Sequence, residues 1–250
     1  MKKTVFAVLA VLTIFLFYKA HYEVPILMYH HVGDPSDRSS TNVSTEVFER
    51  QMEFLKIHGY NVITLEDLIG HIRLGQSIPW NTVTITFDDG YLDNFENAFP
   101  ILKKMNFSAT VFMITSNIGK ENWLSEEDLK ILESSGIAVG SHTVNHAFLP
   151  DISMEQVIKE LRESRNRLEK ILGHPVFLFS YPAGGVTKEV KVLLAKEGYK
   201  GAVSTNYGDK AHDLYALHRI KITDANGSLF NFWIKTSGLY HIGKKRIPIR

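Results

Sequence analysis

Residues 82–90 read TVTITFDDG. Six β-branched and aromatic residues run together and end in two adjacent carboxylates and a glycine. A continuous run of this kind, rather than an alternating one, marks a parallel strand covered on both faces. Working outward, six more runs share its character: PILMY (25–29), YNVIT (60–64), ATVFMI (109–114), IAVGS (137–141), VFLFS (176–180) and GAVST (201–205). Amphipathic stretches with readable ends lie between them. Ser44 is placed to cap a helix burying Val47, Phe48, Met52 and Leu55, and Ser125 precedes EEDLKILES. Ser153 opens a longer helix with Gln156 in the capping-box position. Gly136, Gly173 and Gly198 stand where a left-handed glycine closes a helix.

About seven βα units predict an α/β fold, a distorted or incomplete (β/α) barrel of TIM type after an N-terminal hydrophobic helix. No glycine-rich dinucleotide fingerprint follows the first strands, which disfavours an open doubly wound sheet. A barrel requires its chemistry to lie just past the C-terminal ends of strands. The 250 residues contain no repeat and no low-complexity linker, so one catalytic domain is expected over residues 23–250.

Residues 1–22 differ from the rest. Lys2 and Lys3 precede an uncharged run, TVFAVLAVLTIFLFY (4–18), ended by Lys19. That run suits a signal peptide and falls short of the ~20 residues of a full span, although flanking lysines can snorkel. Ala20 is the best cleavage position, but Tyr18 stands two places before it, where a small residue is wanted. The segment is therefore expected to be an uncleaved signal-anchor, with a cleaved signal or a buried helix as alternatives. Either export reading faces the catalytic domain outward.

Lys plus Arg number 28 against 27 Asp plus Glu, a formal charge of +1, so there is no basic excess to suggest a nucleic-acid partner. No cysteine is present, which excludes disulfides, thiolate metal sites and a cysteine nucleophile. Any metal must be held by imidazole and carboxylate, and 11 histidines allow that. A monomer is expected.

Four motifs follow predicted strands. Asp88 and Asp89 leave the strand in different directions, so one can hold a metal while the other acts as a base; alternatively they cap the next helix. His142 and His146, in SHTVNH, have the i, i+4 spacing that sets two imidazoles on one helical turn. No Glu lies between them, so the base must come from elsewhere. Asp89 with His142 and His146 would make a His₂–carboxylate set with open positions, and a free Asp88 suits metal-assisted hydrolysis better than iron oxygenation. In MYHHV (28–32), His30 or His31 could protonate a leaving group. In FSYPAGG (179–185), Tyr181 could wall a sugar pocket, Pro182 shapes the turn, and the N–H of Ala183 could help hold an oxyanion.

TFDDG, the His142-Thr143-Val144-Asn145-His146 pattern and the aromatic-Pro-Gly loop, in this order, resemble the polysaccharide deacetylases of the NodB-homology class, carbohydrate esterase family 4. PILMYHHV resembles the branch that de-N-acetylates exopolysaccharides such as poly-N-acetylglucosamine. The likeness runs from about Val24 to Ile222. It implies that Asp89, His142 and His146 hold one divalent metal, zinc first, with cobalt, nickel or iron as alternatives because such sites accept several ions. It also implies Asp88 as general base and His30 as general acid, acetate and a free amino sugar being the products. Exopolysaccharide, peptidoglycan, chitin fragments and lipid-linked sugar are the candidate GlcNAc-containing substrates. An inactive glycan-binding module is the competing class, disfavoured because all four of Asp88, Asp89, His142 and His146 are present.

Two departures stand out. Where the family commonly has Arg-x-Pro, orienting the base, this chain has Ser180-Tyr181-Pro182, so that support is missing or comes from elsewhere. Leu217-His218 resembles the family's last Leu/His motif, while Arg219-Ile220 fits the branch's Leu-x-Arg-Ile. His218 is thus the alternative acid. The basic end GKKRIPIR (243–250) reads as a solvated tail or a contact for anionic lipid or polymer.

Overall fold

The computed structural model describes residues 6, 9, 12–13, 16–19, 21–34, 40–206, 212–224, 228–245 and 249. The readings placed on Lys2, Lys3 and Ala20, and on residues 246–248 and 250 of the basic end, lie outside these. Among the described residues no helix is long and apolar enough to cross a membrane.

In chain order, β1 (Ile26–Tyr29), β2 (His31–Gly33) and β3 (Asn42–Ser44) precede α1 (Thr45–Ile57). Then come β4 (Asn61–Val62), α2 (Leu65–Leu74), β5 (Thr82–Phe87), α3 (Phe99–Met105), β6 (Ala109–Met113), α4 (Glu126–Ser134) and β7 (Ile137–Ser141). The chain continues through α5 (Met154–Leu172), β8 (Leu178–Ser180), α6 (Lys188–Lys196), β9 (Gly201–Ser204), β10 (Leu217–His218), β11 (Ile220–Lys221) and α7 (Leu229–Thr236).

The main sheet runs β10-β9-β8-β7-β6-β5-β1-β11. Every pairing in it is parallel. Its two edge strands are separated in the chain by Arg219 alone. Arg219 N–H donates to Ser204 O of β9 at 2.9 Å, and Ile222 N–H donates to Met28 O of β1 at 3.0 Å. One short run therefore stitches both edges and nearly closes the expected barrel. The seven-unit reading needs one revision. The predicted 60–64 strand shrinks to β4, which pairs only with the start of β5, off the ring. Its place is taken by 217–221, whose Leu-His-Arg-Ile-Lys has no apolar run to betray a strand.

Local signals otherwise match. Ser125 and Ser153 both complete capping boxes, with Asp128 and Gln156, and Gly173 ends α5 at φ 79°. Ser44 holds the N-cap position of α1 without a side-chain cap; its N–H donates to Asp224 Oδ1 at 2.8 Å.

The alternation of β5 aims the site. Val83, Ile85 and Phe87 join the large core with Leu27, Phe48 and Val111. Thr84 and Thr86 take the other face, and Thr86 Oγ1 donates to Leu27 O at 2.8 Å. Period two then puts Asp88 on the Thr86 side. Gly90 ends the motif at φ 87°, where a Cβ would collide with Met113 Sδ. Gly90→Ala is expected to lower stability by about 1–3 kcal/mol, read as a fall in urea midpoint at unchanged slope.

Candidate active site

The C-terminal ends of β1, β5, β7 and β8 meet in a cleft of about 920 Å³, lined among others by His30, Asp88, Asp89, His142, His146 and Arg219. The barrel requirement is met for all of these motifs.

Asp88 and Arg219 are both buried, at 3% and 2% exposure. The guanidinium grips the carboxylate with two bonds of 2.6 and 2.5 Å, and also donates to Ser180 Oγ (2.9 Å) and Thr86 Oγ1 (3.3 Å). Burial alone would push the Asp88 carboxyl up, but Arg219, then His142 and His30, outweigh it and hold the group well below the usual carboxylate range. The missing arginine of the third motif is thus supplied from the other end of the chain. Its signal was Arg219-Ile220, but no sequence spacing says that residue 219 meets residue 88.

Asp89 adopts a left-handed backbone, φ 73°, which turns its side chain away from Asp88. Its Oδ1 lies 3.4 Å from His142 Nε2 and 3.5 Å from His146 Nε2. Burial raises its pKa, and His142 more than reverses that, leaving it lowered. His142 Nδ1 lies 2.8 Å from Ser180 O, which commits that nitrogen to donation and turns the Nε2 lone pair toward Asp89. The His142 pKa is lowered by burial but raised more by Asp88 and Asp89, ending above its ordinary value, whereas burial and then His142 lower that of His146.

The His142–His146 segment is a turn, not the helical turn expected from i, i+4 spacing, with left-handed Thr143 (φ 67°) and His146 (φ 56°). The two rings still meet, 4.8 Å apart. Two sets of contacts hold the turn. Thr115 and Ser116 N–H donate to the carbonyls of Thr143 and Val144 at 3.1 and 2.9 Å. On the other side, Glu160 of α5 accepts from the N–H groups of Val144 (2.7 Å) and Asn145 (3.0 Å) and from Asn145 Nδ2 (2.8 Å). Sequence reading did not single out Glu160, which looks like any exposed glutamate of a charged helix. Such left-handed non-glycine residues gather at sites whose surroundings over-determine the backbone.

The histidine pair of MYHHV splits. His30 faces the cleft, with Nδ1 buried and unpartnered among the described residues, and its backbone carbonyl accepts from Asn94 Nδ2 at 2.6 Å. Burial lowers its pKa against the pull of Asp88 and Asp89. His31 instead bonds Asp93 at 2.7 Å and stacks on Tyr91, centroids 3.5 Å apart. Tyr91, which lines the cleft, in turn lies against the half-buried Trp123 at 4.6 Å. His218 also lines the cleft, and lines a neighbouring cavity with Val24 and Ile26 as well.

Tyr181 lines the cleft. It is 1% exposed, its ring edge-on to Phe179 at 5.2 Å and its hydroxyl donating to Tyr215 O at 2.8 Å, so it backs the wall from the core and offers little open surface. Pro182 is buried, while Ala183 is exposed on the cleft at φ 49°. The bonds of this turn run from Gly184 to Tyr181 and from Gly185 to Pro182, and among the described residues none uses the Ala183 N–H.

Asp89, His142 and His146 offer ligand atoms within 4.8 Å of one another. A buried, unpartnered carboxylate oxygen faces two imidazole nitrogens, one of which has its other nitrogen already committed to a carbonyl. One carboxylate and two imidazole donors converging in this way fit a divalent cation.

A near-closed parallel barrel with a clamped carboxylate beside a His₂–carboxylate cluster at its mouth is the architecture of a hydrolase. The chain belongs to the polysaccharide deacetylase family, whose model matches residues 76–202. It is 34% identical to YxkH of Bacillus subtilis (strain 168) over 217 residues, covering 86% of this chain and 77% of that one. It is 31% identical over 204 residues to the poly-beta-1,6-N-acetyl-D-glucosamine N-deacetylase of Staphylococcus aureus (strain N315), covering 73% and 68%. Among solved structures, the deacetylase PplD of Streptococcus pyogenes, in complex with acetate, superposes with a TM-score of 0.80 at 29% identity, covering 85% of this chain and 97% of that one.

Proposed function

We propose that this chain is a metal-dependent N-deacetylase of GlcNAc-containing glycan, held at the membrane by residues 1–22 with residues 23–250 outside. The observation that carries the reading is the pairing of two adjacent carboxylates with different partners: Asp88 clamped by Arg219, Asp89 facing two imidazoles.

In this reading Asp89, His142 and His146 hold one divalent ion, zinc before cobalt, nickel or iron. When bound, such an ion supplies Lewis acidity that polarises a carbonyl and acidifies water. Asp88 accepts the proton of the attacking water. Arg219 keeps that carboxylate ionised and aimed, which suits orientation more than raw basicity. The Ala183 N–H donates to the oxyanion formed from the acetamide, and His30 gives a proton to the departing amine. His218 is the alternative acid. Tyr91, on the cleft wall, offers an apolar surface to a sugar ring.

A second substrate reading has its own support. Lys221, Lys235 and Lys244 line one cleft wall, and burial, then the other two lysines, lower the Lys235 pKa to about 8. That wall suits the carboxylates of peptidoglycan better than an uncharged polymer.

The test measures acetate release from poly-GlcNAc, chitin oligomers and peptidoglycan, with and without chelator. Release that survives complete metal removal would sink the ligand assignment. Glu160→Ala, which frees the turn carrying His146, is expected to weaken zinc binding by roughly 10–100-fold in competitive titration while leaving the fold intact. A normal rate in His30→Ala with an inactive His218→Ala would transfer the acid role to His218.

A further inference from the structure

α7 is only half used by the fold. Phe232 and Thr236 are buried, and Lys235 turns into the cleft wall. On the outer side Leu229, Phe230, Trp233 and Ile234 are 39%, 65%, 49% and 37% exposed, and the Phe230 and Trp233 rings lie 5.8 Å apart. Positions i, i+1, i+4 and i+5 form one continuous stripe on a helix, and an exposed apolar stripe of this size marks a contact surface.

The end of that helix meets a second exposed apolar stretch among the described residues. Tyr18 Oη donates to Ser237 O at 2.7 Å, and Glu23 N–H donates to Gly238 O at 3.0 Å. Tyr18 also packs against Trp80, centroids 5.6 Å apart, and Trp80 is 51% exposed. Upstream, the described Phe6, Leu9, Leu12, Leu16 and Phe17 are all exposed. Lys19, next to Tyr18 in the chain, is exposed, as are Lys244 and Lys245. Tryptophan and tyrosine next to an apolar segment, with lysines at hand, match the headgroup layer of a bilayer, where amphipathic rings settle and anionic lipids attract basic groups.

We infer that the outer face of α7 lies in the interfacial layer of an anionic lipid bilayer, an inference that rests on the membrane attachment proposed for residues 1–22. The occupant is lipid rather than a protein because the end of this helix is tied to that apolar segment by the Tyr18–Ser237 and Glu23–Gly238 bonds. Since the inner face of α7 carries Lys235 into the cleft, one cleft wall stands a single helix, about 10 Å, from the membrane surface. Acetylated sugars close to that surface are then the ones within reach.

The experiment uses the full chain reconstituted in phosphatidylcholine–phosphatidylglycerol vesicles carrying brominated acyl chains. Three single-tryptophan forms retain Trp80, Trp123 or Trp233, the others being replaced by phenylalanine. Strong quenching of Trp233 and Trp80 with none of Trp123 is the expected result. A chain that fails to float with the vesicles overturns the attachment and this inference with it. A chain that floats while Trp233 stays unquenched overturns the inference alone. Shielding of Trp233 without lipid, together with a dimeric mass in detergent, assigns the face to a second copy and also overturns it. Hydrogen exchange of α7 in the wild-type chain, slowed by vesicles if the inference holds and unchanged if not, gives the same decision should a variant fail to fold.

Discussion

Asp88→Asn is expected to lower acetate release by roughly 10²–10⁴-fold, the usual worth of a positioned proton acceptor. The change is nearly isosteric, so metal content and substrate affinity should hold while kcat falls. A structural cost accompanies it, because Arg219 is left as an uncompensated buried cation, and about 3 kcal/mol of stability should go with it. The two effects separate by experiment. Activity is measured at a temperature where circular dichroism shows the variant folded, and bound metal is counted on the same sample. Wild-type turnover in the folded variant would remove Asp88 from the reaction.

The second large effect is on stability. Arg219→Met strips a buried carboxylate of its bidentate partner, with an expected loss of about 3–5 kcal/mol in urea unfolding. Restoring charge balance should recover much of it. The double variant Asp88→Asn with Arg219→Met is expected to be more stable than either single variant, a strongly non-additive cycle. An additive cycle would mean that the pair acts as two independent residues. The pH dependence follows from the direction of the Asp88 shift. A carboxyl held below its ordinary value of 3.8 stabilises the fold fully above that pH and loses the contribution as pH falls below it. Wild-type stability should therefore drop steeply below pH 3.8, and Arg219→Met should lose that drop. In the same variant only His142 and His30 still oppose burial, so the acid limb of kcat/KM should move to higher pH.

Much of this was legible in the sequence, and the limits are physical. β5 announces itself because both of its faces are buried, so the run is apolar throughout, and a strand end is the natural address for charge. The two metal-type histidines could be paired by spacing even though the wrong local geometry was expected. Spacing four apart fits a helix, and only the left-handed Thr143 and His146 reveal a turn. For Tyr181 the sequence located a residue of the cleft wall but not its burial, because a tyrosine beside proline and glycine looks like a loop aromatic while its ring packs into the core behind the loop. Arg219 and Glu160 were beyond pattern reading for one reason. Each acts across more than a dozen residues of chain on a group it meets only after folding, and an isolated arginine or glutamate carries no periodicity. The 217–221 strand was hidden likewise, since its central residue is the arginine itself.

That residue has a consequence for when the protein can act. Among the described residues, the last strand to leave the ribosome supplies both the seam of the barrel and the grip on Asp88. A chain still being delivered, or one clipped before residue 219, can carry Asp89, His142 and His146 and yet lacks the grip on Asp88 that the proposed mechanism needs. Competence thus arrives with the final stitch of the fold, so a deacetylase of this design stays silent until it is whole.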